Sequence, residues 1–555
     1  MVKSYRDDAG IPRQKQIEVI GYLHELEKEY DDPVAHFRAV ARQRTNDEAN
    51  PSILLKLDPR TKIADREIGT KNFGYVVLEQ VYHRLELHKL LRRREKQLAL
   101  DFSLNDIFRL LVYTRALNIG QKKNSYDLRD HFFEVLAQSQ NDMYEAMPHL
   151  QQLNATIMSW LDEKIKKTFG RSAHKGFYYV TNITPRVDHV RLQAGARHGG
   201  ESDTSPLYLG LLLDGTGYPI VYHLFSGDLS TKVTLGKITE HVRDRYEFDR
   251  LIVVADIGQY GSDRLTTRFS PENGYLYSQP IQTADDNLRQ YILNQDDYRQ
   301  LDGLYKCKSR ICRRPISFRD GGDGDEDVWQ KQVVFYSREL ANLTRFERDQ
   351  AVADARKYIE SKDRSGLTLS EAAATYLHVS EDGRPLRLNE EKINEEAQLD
   401  GYYALISLDL DLSDAAIVEA YQGLRKIKEM FGISRAEWQA RPPHVPAEAH
   451  IMSHFLATFM AIVILRIIEI ELNQFSAAGT NKSKLGRAQR RFSHGEIIRT
   501  LNHFTCSLID ENCYNFTYSD AVIPYLEAVF DVDLSTKYRT LADIKKSISK
   551  AKTHR

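Results

Sequence analysis

The sequence contains little cysteine. Among its 555 residues only Cys307, Cys312, Cys506 and Cys513 carry thiols. The spacings C-x4-C and C-x6-C match no common zinc pattern, and no histidine is arranged around them. A secreted domain held together by disulfides is also not expected at this length. We therefore predict free thiols in a reducing cytoplasm.

The sequence also lacks an excess of charge of one sign and a long apolar run. Lys and Arg number 77 against 78 Asp and Glu, which excludes a uniformly basic nucleic-acid binder. The N-terminus has no apolar segment of the kind that signal peptides contain, so we expect no signal peptide. The longest apolar run, Phe455 to Leu465, ends before Arg466 and falls short of the roughly 20 residues of a membrane span, which predicts a buried helix and no membrane.

Aromatic and aliphatic residues are abundant. The hydrophobic fraction is 42%, and 30 Tyr and 22 Phe favour a protein that contains a sheet. This composition suits a large buried core and excludes wholesale disorder. At about 150 residues per domain, the length predicts two to four domains.

Helical periodicity dominates residues 1–170, which we assign to a mostly helical region for DNA binding and dimerisation. Amphipathic helices are predicted over residues 16–30, 78–91, 104–116 and 157–169. The first 14 residues are compatible with a small hairpin through Asp8-Ala9-Gly10.

The pattern changes to strands after Gly176. A strand is predicted over 177–183, a hairpin over 207–225 through Asp214-Gly-Thr-Gly217, a helix over 231–246 and a buried strand over 251–255 that ends at Asp256. This order resembles the first half of a ribonuclease H-like fold. The predicted fold class is α/β, with such a core at 171–265 and 401–475, a long mixed insertion at 266–400 and a basic linker with a C-terminal extension at 476–555. Within these parts we predict a charged helix over 342–359, a strand over 401–407, a helix that Ser413 caps and that continues to Phe431, and a small α/β piece at the C-terminal end.

A family resemblance rests on the segment from Tyr421 to Arg435. It resembles the Y-x2-R-x3-E-x6-K helix of bacterial insertion-sequence DDE transposases of the IS-four type. Further segments resemble the same family, and together they cover nearly the whole chain: Val2-Lys-Ser-Tyr-Arg6, Lys71-Asn-Phe-Gly74, Leu224-Phe-Ser-Gly227, Val253-Val-Ala-Asp-Ile-Gly258, Gly401-Tyr-Tyr403, Ala440-Arg-Pro442 and His454-Phe455.

The resemblance implies metal-dependent cutting and joining of DNA. In such a fold three carboxylates hold two Mg²⁺ ions about 4 Å apart, one activating the nucleophile and the other stabilising the leaving oxygen. The second Asp of the family falls on Asp256. The first falls on Tyr179 and the Glu on Lys428, while the family's Arg and Lys positions hold Leu424 and Arg435.

Two of the three expected metal ligands are therefore replaced. A phenol has a pKa of about 10 and does not substitute for a carboxylate at neutral pH. A lysine ammonium about 4 Å from a divalent ion is repelled by several kcal/mol. We expect Mg²⁺ binding at Asp256 to be weak or lost, unless Glu429 or Asp188 takes over as a ligand.

Lys428 has two possible roles in such a site. One hypothesis is that its ammonium pairs with Asp256 in place of the missing metal. The alternative is that Lys428 extends to solvent.

Local basic clusters are the candidate DNA contacts. The segment from residue 482 to 491 has no acidic residue between its cations. It has two possible interpretations, contact with DNA phosphates or a solvated linker. The run Arg92-Arg93-Arg94-Glu95-Lys96 is equally compatible with a solvated helix end. The predicted DNA-binding residues are Tyr421, Arg425, Arg435, Lys482, Lys484, Arg487, Arg490 and Arg491.

These observations predict a transposase-type protein that binds double-stranded DNA at element ends, with impaired catalysis. The resemblance implies a homodimer, and we expect a cytoplasmic location, at the nucleoid when DNA is bound. One alternative is a non-enzymatic DNA-binding protein, a repressor or architectural factor, derived from a transposase. A further option is a toxin-like nuclease with a different carboxylate set.

Overall fold

A computed structural model gives the positions of most of the chain. The chain forms two compact units, one of Met1–Glu67 with Leu508–Tyr514 and the other of Ile68–Ser507 with Asn515–Arg555. The described residues are 2–6, 12–16, 18–49, 69–117, 125–134, 136, 139–182, 207–226, 233–255, 273–282, 284–301, 305–316, 326–361, 369–379, 385–431, 447–478, 490–510 and 512–553.

The smaller unit begins with the predicted hairpin. Strands β1 (Val2–Arg6) and β2 (Pro12–Gln16) pair antiparallel, with Val2 opposite Gln16. Two helices follow, α1 (Leu23–Leu26) and α2 (Pro33–Ala49). The prediction of one helix over residues 16–30 is wrong, because among the described residues of this range only Leu23–Leu26 are helical. Val19 and Tyr22 are 75% and 73% exposed, so the apolar spacing finds no core to stabilise a longer helix.

The larger unit opens with a strand and a group of helices. These are β3 (Thr70–Asn72), α3 (Tyr75–Arg84), α4 (Leu87–Leu98), α5 (Leu104–Leu117), a 3-10 turn (Ser125–His131) and α6 (Gln140–Thr168). Helix α5 confirms its prediction. The predicted helix 78–91 is instead two helices, since Glu86 between them has a left-handed φ of 56°. Helix α6 starts earlier than predicted, where Ser139 and Asp142 form a capping box.

A nine-stranded mixed sheet forms the centre of this unit, in the order β6-β5-β4-β7-β8-β14-β11-β10-β9. Its strands, in chain order, are β4 (Lys175–Asn182), β5 (Leu207–Asp214), β6 (Pro219–Ser226), β7 (Arg250–Ala255), β8 (Gly274–Gln279), β9 (Arg299–Leu301), β10 (Tyr305–Ile316), β11 (Glu326–Ser337) and β14 (Tyr402–Ser407). The predicted strands at 177–183, 251–255 and 401–407 and the predicted hairpin at 207–225 are confirmed.

Strand directions divide the sheet into two parts. Strands β4, β5 and β6 are antiparallel neighbours, whereas β7 runs parallel to β4 and β8 parallel to β7. The crossover from β6 to β7 contains α7 (Val233–Arg245), as predicted. On the far side, β14, β11 and β10 continue the sheet with antiparallel pairing. Strands from within the predicted insertion at 266–400 thus belong to the same sheet as β4 and β7.

The remaining elements between β8 and β14 lie around this extension. They are α8 (Asp286–Leu293), α9 (Arg338–Glu360), α10 (Glu371–Ala374), β12 (Leu377–Val379), β13 (Pro385–Leu388) and α11 (Glu390–Gln398). The charged helix predicted over 342–359 is part of α9, which begins where the Ser337 hydroxyl accepts a hydrogen bond from the Leu340 amide.

One face of the sheet is covered by α6 and by two later helices, α12 (Asp414–Phe431) and α13 (Ala447–Ala478). Helix α13 is long and apolar enough to cross a membrane by length and composition alone. Its most apolar window is 83% buried inside the protein, however, which agrees with the predicted buried helix.

The C-terminal part adds a small α/β segment, as predicted. It consists of α14 (His494–His503), β15 (Thr505–Asp510), β16 (Cys513–Phe516), α15 (Ile523–Phe530), β17 (Tyr538–Thr540) and α16 (Leu541–Thr553). Strand β15 pairs antiparallel with β3, so residues more than 400 positions apart share a sheet, with Thr505 opposite Asn72. Helix α16 packs against α3.

Candidate functional site

The candidate site lies on the helix-covered face of the sheet where β4 and β7 run side by side. The parallel register places Tyr179 beside Val254 and Val180 beside Ala255. Paired residues point to the same face, so Tyr222, Leu211, Tyr179, Val254 and Leu276 form one row across five strands, and all five are buried. Asp256 follows β7 directly and lies outside the described residues.

Helix α12 is fixed over this face at both ends. At its start the Ser413 hydroxyl accepts a hydrogen bond from the Ala416 amide, which is the predicted cap. The Lys331 ammonium on β11 lies 2.8 Å from the Asp414 carboxylate. At its end the Phe431 ring stacks on Phe455 of α13 at 5.7 Å between centroids. These contacts define how α12 approaches β4.

Helix α12 comes close to β4 at Gly423. A Cβ atom placed on Gly423 would lie 3.2 Å from the Tyr179 hydroxyl oxygen and 3.5 Å from its ring. The Tyr179 side chain is only 5% exposed. Its ring therefore occupies the space between strand and helix, and a glycine is what allows the helix to come this close.

Burial determines the ionisation of this phenol. Removal from water raises the pKa of Tyr179 above its usual value, and this effect outweighs the attraction of the Arg466 charge and adds to the repulsion of Glu419. Tyr179 is therefore neutral across the physiological range, as the sequence predicted for a phenol at this position.

A half-buried arginine lies close to this face. Arg466 of α13 donates one hydrogen bond to the Gly217 carbonyl at 3.1 Å and another to the Glu469 carboxylate at 2.7 Å. Burial acts to raise the pKa of Glu469, but the hydrogen bond from His494 and the Arg466 charge bring it down to about 2. The Gly217 contact ties α13 to the β5–β6 turn. The only sequence signal for this cluster was that charges interrupt an apolar helix.

A different charged group lies at the other end of β4 and β7, where these two strands begin. The Asp409 carboxylate is buried and lies 3.3 Å from the Lys175 ammonium and 3.7 Å from the Arg250 guanidinium, at the starts of β4 and β7. In open α/β sheets ligands bind at the carboxyl ends of parallel strands, so we assign this cluster a structural role.

The predicted DNA-binding residues are only partly described. Tyr421 is half-buried on α12. Arg425 and the predicted ligand position Lys428 lie within the same helix, but their side chains are outside the description, as are Arg435, Lys482, Lys484 and Arg487 altogether. The Glu429 side chain and the whole of Asp188 fall outside it too.

The last two cations of the predicted basic segment have carboxylate partners. Arg490 donates to Glu496 at 3.0 Å and its guanidinium lies over the Phe492 ring. Arg491, with a side chain 66% exposed, forms an ion pair with Glu419 of α12. Such exposed pairs are weak and leave the guanidinium accessible. The contact brings the end of the basic segment to the helix that carries position 428.

No cluster of three or more His, Cys, Asp or Glu side chains able to hold a metal occurs among the described residues. On β4 the position assigned to the first ligand is the buried Tyr179 phenol.

Comparisons with known proteins identify no family for this chain. No protein-family model matches the chain, and no curated protein matches it significantly. Among solved structures, the chain is similar to piggyBac transposase in a synaptic complex with hairpin DNA, with 10% identity over 86% of this chain and 84% of that one. The TM-score of this match is 0.27.

Proposed function

We propose that this chain is a transposase-like protein that binds double-stranded DNA through a ribonuclease H-like core. The observation that carries the proposal is the strand arrangement around β4. An antiparallel trio, β6-β5-β4, is followed by β7 and β8 parallel to β4, with α7 in the crossover and α12 packed on the face. This is the arrangement expected of such a core.

The family motifs support the same interpretation from independent positions. Tyr179 lies on β4, Asp256 follows β7 and Lys428 lies in α12, so these three residues are more than 70 positions apart in sequence from one to the next. Strand β4 neighbours β7 in the sheet, and α12 packs on both. Because a chance resemblance would not select segments that meet in the fold, the convergence favours the IS-four type assignment.

Catalytic impairment is the second part of the proposal. Tyr179 is a neutral, buried phenol packed on Gly423, so it offers no carboxylate to a cation. Mg²⁺ prefers several converging oxygen ligands, and Asp256 alone does not fit a paired-metal site. We therefore expect Mg²⁺ binding to be weak or lost.

The proposal includes the pair between Lys428 and Asp256, in which the ammonium takes the place of the missing metal beside the carboxylate. The alternative is that Lys428 extends to solvent.

The proposal also includes a homodimer, a cytoplasmic location with association to the nucleoid, and DNA contacts from the basic segment. The second candidate function is a non-enzymatic DNA-binding protein derived from a transposase. It is favoured by the fit of Tyr179 against Gly423, since a large side chain opposite a glycine indicates a core adapted to the substitution.

The experiment measures DNA binding and DNA cleavage separately. Purified protein is incubated with duplexes from the DNA that flanks its gene, with Mg²⁺ or Mn²⁺, beside Asp256→Ala, the double variant Tyr179→Asp with Lys428→Glu, and the surface control Asp349→Ala. We expect wild type to bind duplex without cutting it, and cleavage to appear only in the double variant.

Two results would contradict the proposal in different ways. Wild-type cleavage that is abolished by Asp256→Ala but retained by Asp349→Ala would show a working metal site. Failure of wild type to bind any duplex would remove the DNA-binding function itself.

A further inference from the structure

Helix α4 is an amphipathic helix whose apolar side is covered by the protein at Leu87 and Leu91, while Leu98 at its last position is 36% exposed. Leu87 and Leu91 are fully buried. The turn before it is held by the Trp160 indole, which donates to the Leu85 carbonyl at 2.9 Å, and by an ion pair between Glu86 and Lys164 of α6. The helix is thus fixed against α6 and presents its other side to solvent.

That other side carries four cations. Lys89, Arg92, Arg93 and Lys96 are all exposed. At 100° per residue they fall within an arc of about 100°, and from Lys89 to Lys96 they extend about 10 Å along the axis. We call these four residues the α4 basic face.

Three of these cations have no acidic partner among the described residues. Lys89 pairs with Glu86, but no ion pair of Arg92, Arg93 or Lys96 with Asp or Glu occurs in the part of the chain that the structure describes. The acid of the same helix, Glu95, is directed elsewhere and accepts a hydrogen bond from the Asn105 amide at 2.6 Å.

The end of α6 has the opposite arrangement. There Lys166 pairs with Glu247 and Lys167 with Glu163. The unpaired positive charge of α4 is therefore a local feature, since the chain as a whole carries a net charge of −1.

We infer that the α4 basic face binds the sugar-phosphate backbone of double-stranded DNA, an inference that rests on the proposed function. A length of about 10 Å matches about three successive phosphates of one strand, at 3.4 Å of helix axis each. An anionic membrane is the less suitable partner, because membrane-surface helices insert an apolar side and that of α4 is covered by the protein. Contacts of this kind position a protein on DNA without reading its sequence.

The test measures how duplex binding depends on salt. Fluorescence anisotropy with a labelled duplex gives Kd between about 50 and 200 mM salt for wild type, for the triple variant Arg92→Gln, Arg93→Gln, Lys96→Gln, and for a control with equal charge loss on α9, Arg338→Gln, Arg356→Gln, Lys357→Gln. Each lost phosphate contact lowers the slope of log K against log salt by about 0.9. We expect a slope reduced by about 2 to 3 and binding about tenfold weaker or more at 0.1 M salt in the α4 variant only.

A charge-preserving variant separates charge from packing. Arg92→Lys with Arg93→Lys keeps both phosphate contacts as point charges, so its slope is expected to match wild type. Wild-type slope in the triple variant, with DNA binding intact, overturns the inference and leaves the proposed function standing. A triple variant that loses binding to phosphatidylserine vesicles without any change in DNA binding would also overturn the inference. Wild type that binds no duplex overturns both.

Discussion

The contact between Tyr179 and Gly423 allows a sharp test of the candidate site. Gly423→Ala replaces a glycine inside α12, which by helix propensity alone stabilises a protein by up to about 1 kcal/mol. Here the new Cβ would lie 3.2 Å from the Tyr179 hydroxyl oxygen, which is tighter than ordinary van der Waals contact. Overpacking of a buried site costs about 1–3 kcal/mol. The net expectation is a loss of about 1 kcal/mol of unfolding free energy.

Removal of the hydroxyl reverses the sign of this effect. In a Tyr179→Phe background the nearest atoms to the new Cβ are ring carbons at 3.5 Å, an ordinary contact distance. Gly423→Ala should then be neutral or stabilising by up to about 1 kcal/mol, which gives a coupling of about 1–2 kcal/mol between the two positions.

Urea unfolding of the four proteins measures the coupling directly. The slope of free energy against urea must stay the same in all four, so that the midpoints report stability. Equal stabilisation by Gly423→Ala in both backgrounds would refute the contact, and with it the placement of α12 on β4 that the proposed site requires.

Two further predictions concern buried carboxylates. Burial acts to raise the pKa of Glu79, but the hydrogen bond from His83 and the charge of Arg109 bring it from 4.5 to about 2. Its stabilisation, on the order of 3 kcal/mol, is therefore fully present above pH 4.5 and lost as the pH falls through about 2. Glu79→Gln should lower the midpoint of urea unfolding strongly at pH 7 and little near pH 2. An equal loss of stability at both pH values would contradict this. Glu145→Gln on the surface is the control. Asp214 accepts hydrogen bonds from the amides of Ser172, Thr216, Gly217 and Tyr218. Asp214→Ala leaves these donors without that acceptor, so we expect thermal denaturation to show a loss of unfolding free energy on the order of 3 kcal/mol. The control Thr216→Ala, at an exposed side chain, should change the stability very little. An Asp214→Ala variant as stable as wild type would show that the turn does not depend on the carboxylate.

The local pattern of the sequence predicted the elements nearest the candidate site. The apolar run at 251–255, the turn at Asp214-Gly-Thr-Gly217 and the cap at Ser413 each depend on residues close in sequence. Burial patterns, turn residues and helix caps act over a few positions, so β7, the β5–β6 hairpin and α12 were predictable with nearly correct limits. The identities of Tyr179 and Lys428, at the positions that the family resemblance assigns to metal ligands, were also visible in the sequence.

Only the tertiary structure decided which segments meet. Strand β8 was not predicted, and the pairing of β10, β11 and β14 with the central sheet depends on partners far away in the chain. The same holds for the fit of Tyr179 against Gly423 and for the pair of Arg491 with Glu419, since a single residue carries no signal of its distant neighbour. Conversely, the helical spacing at 16–30 misled because periodicity stabilises a helix only where the rest of the fold supplies a surface to cover it.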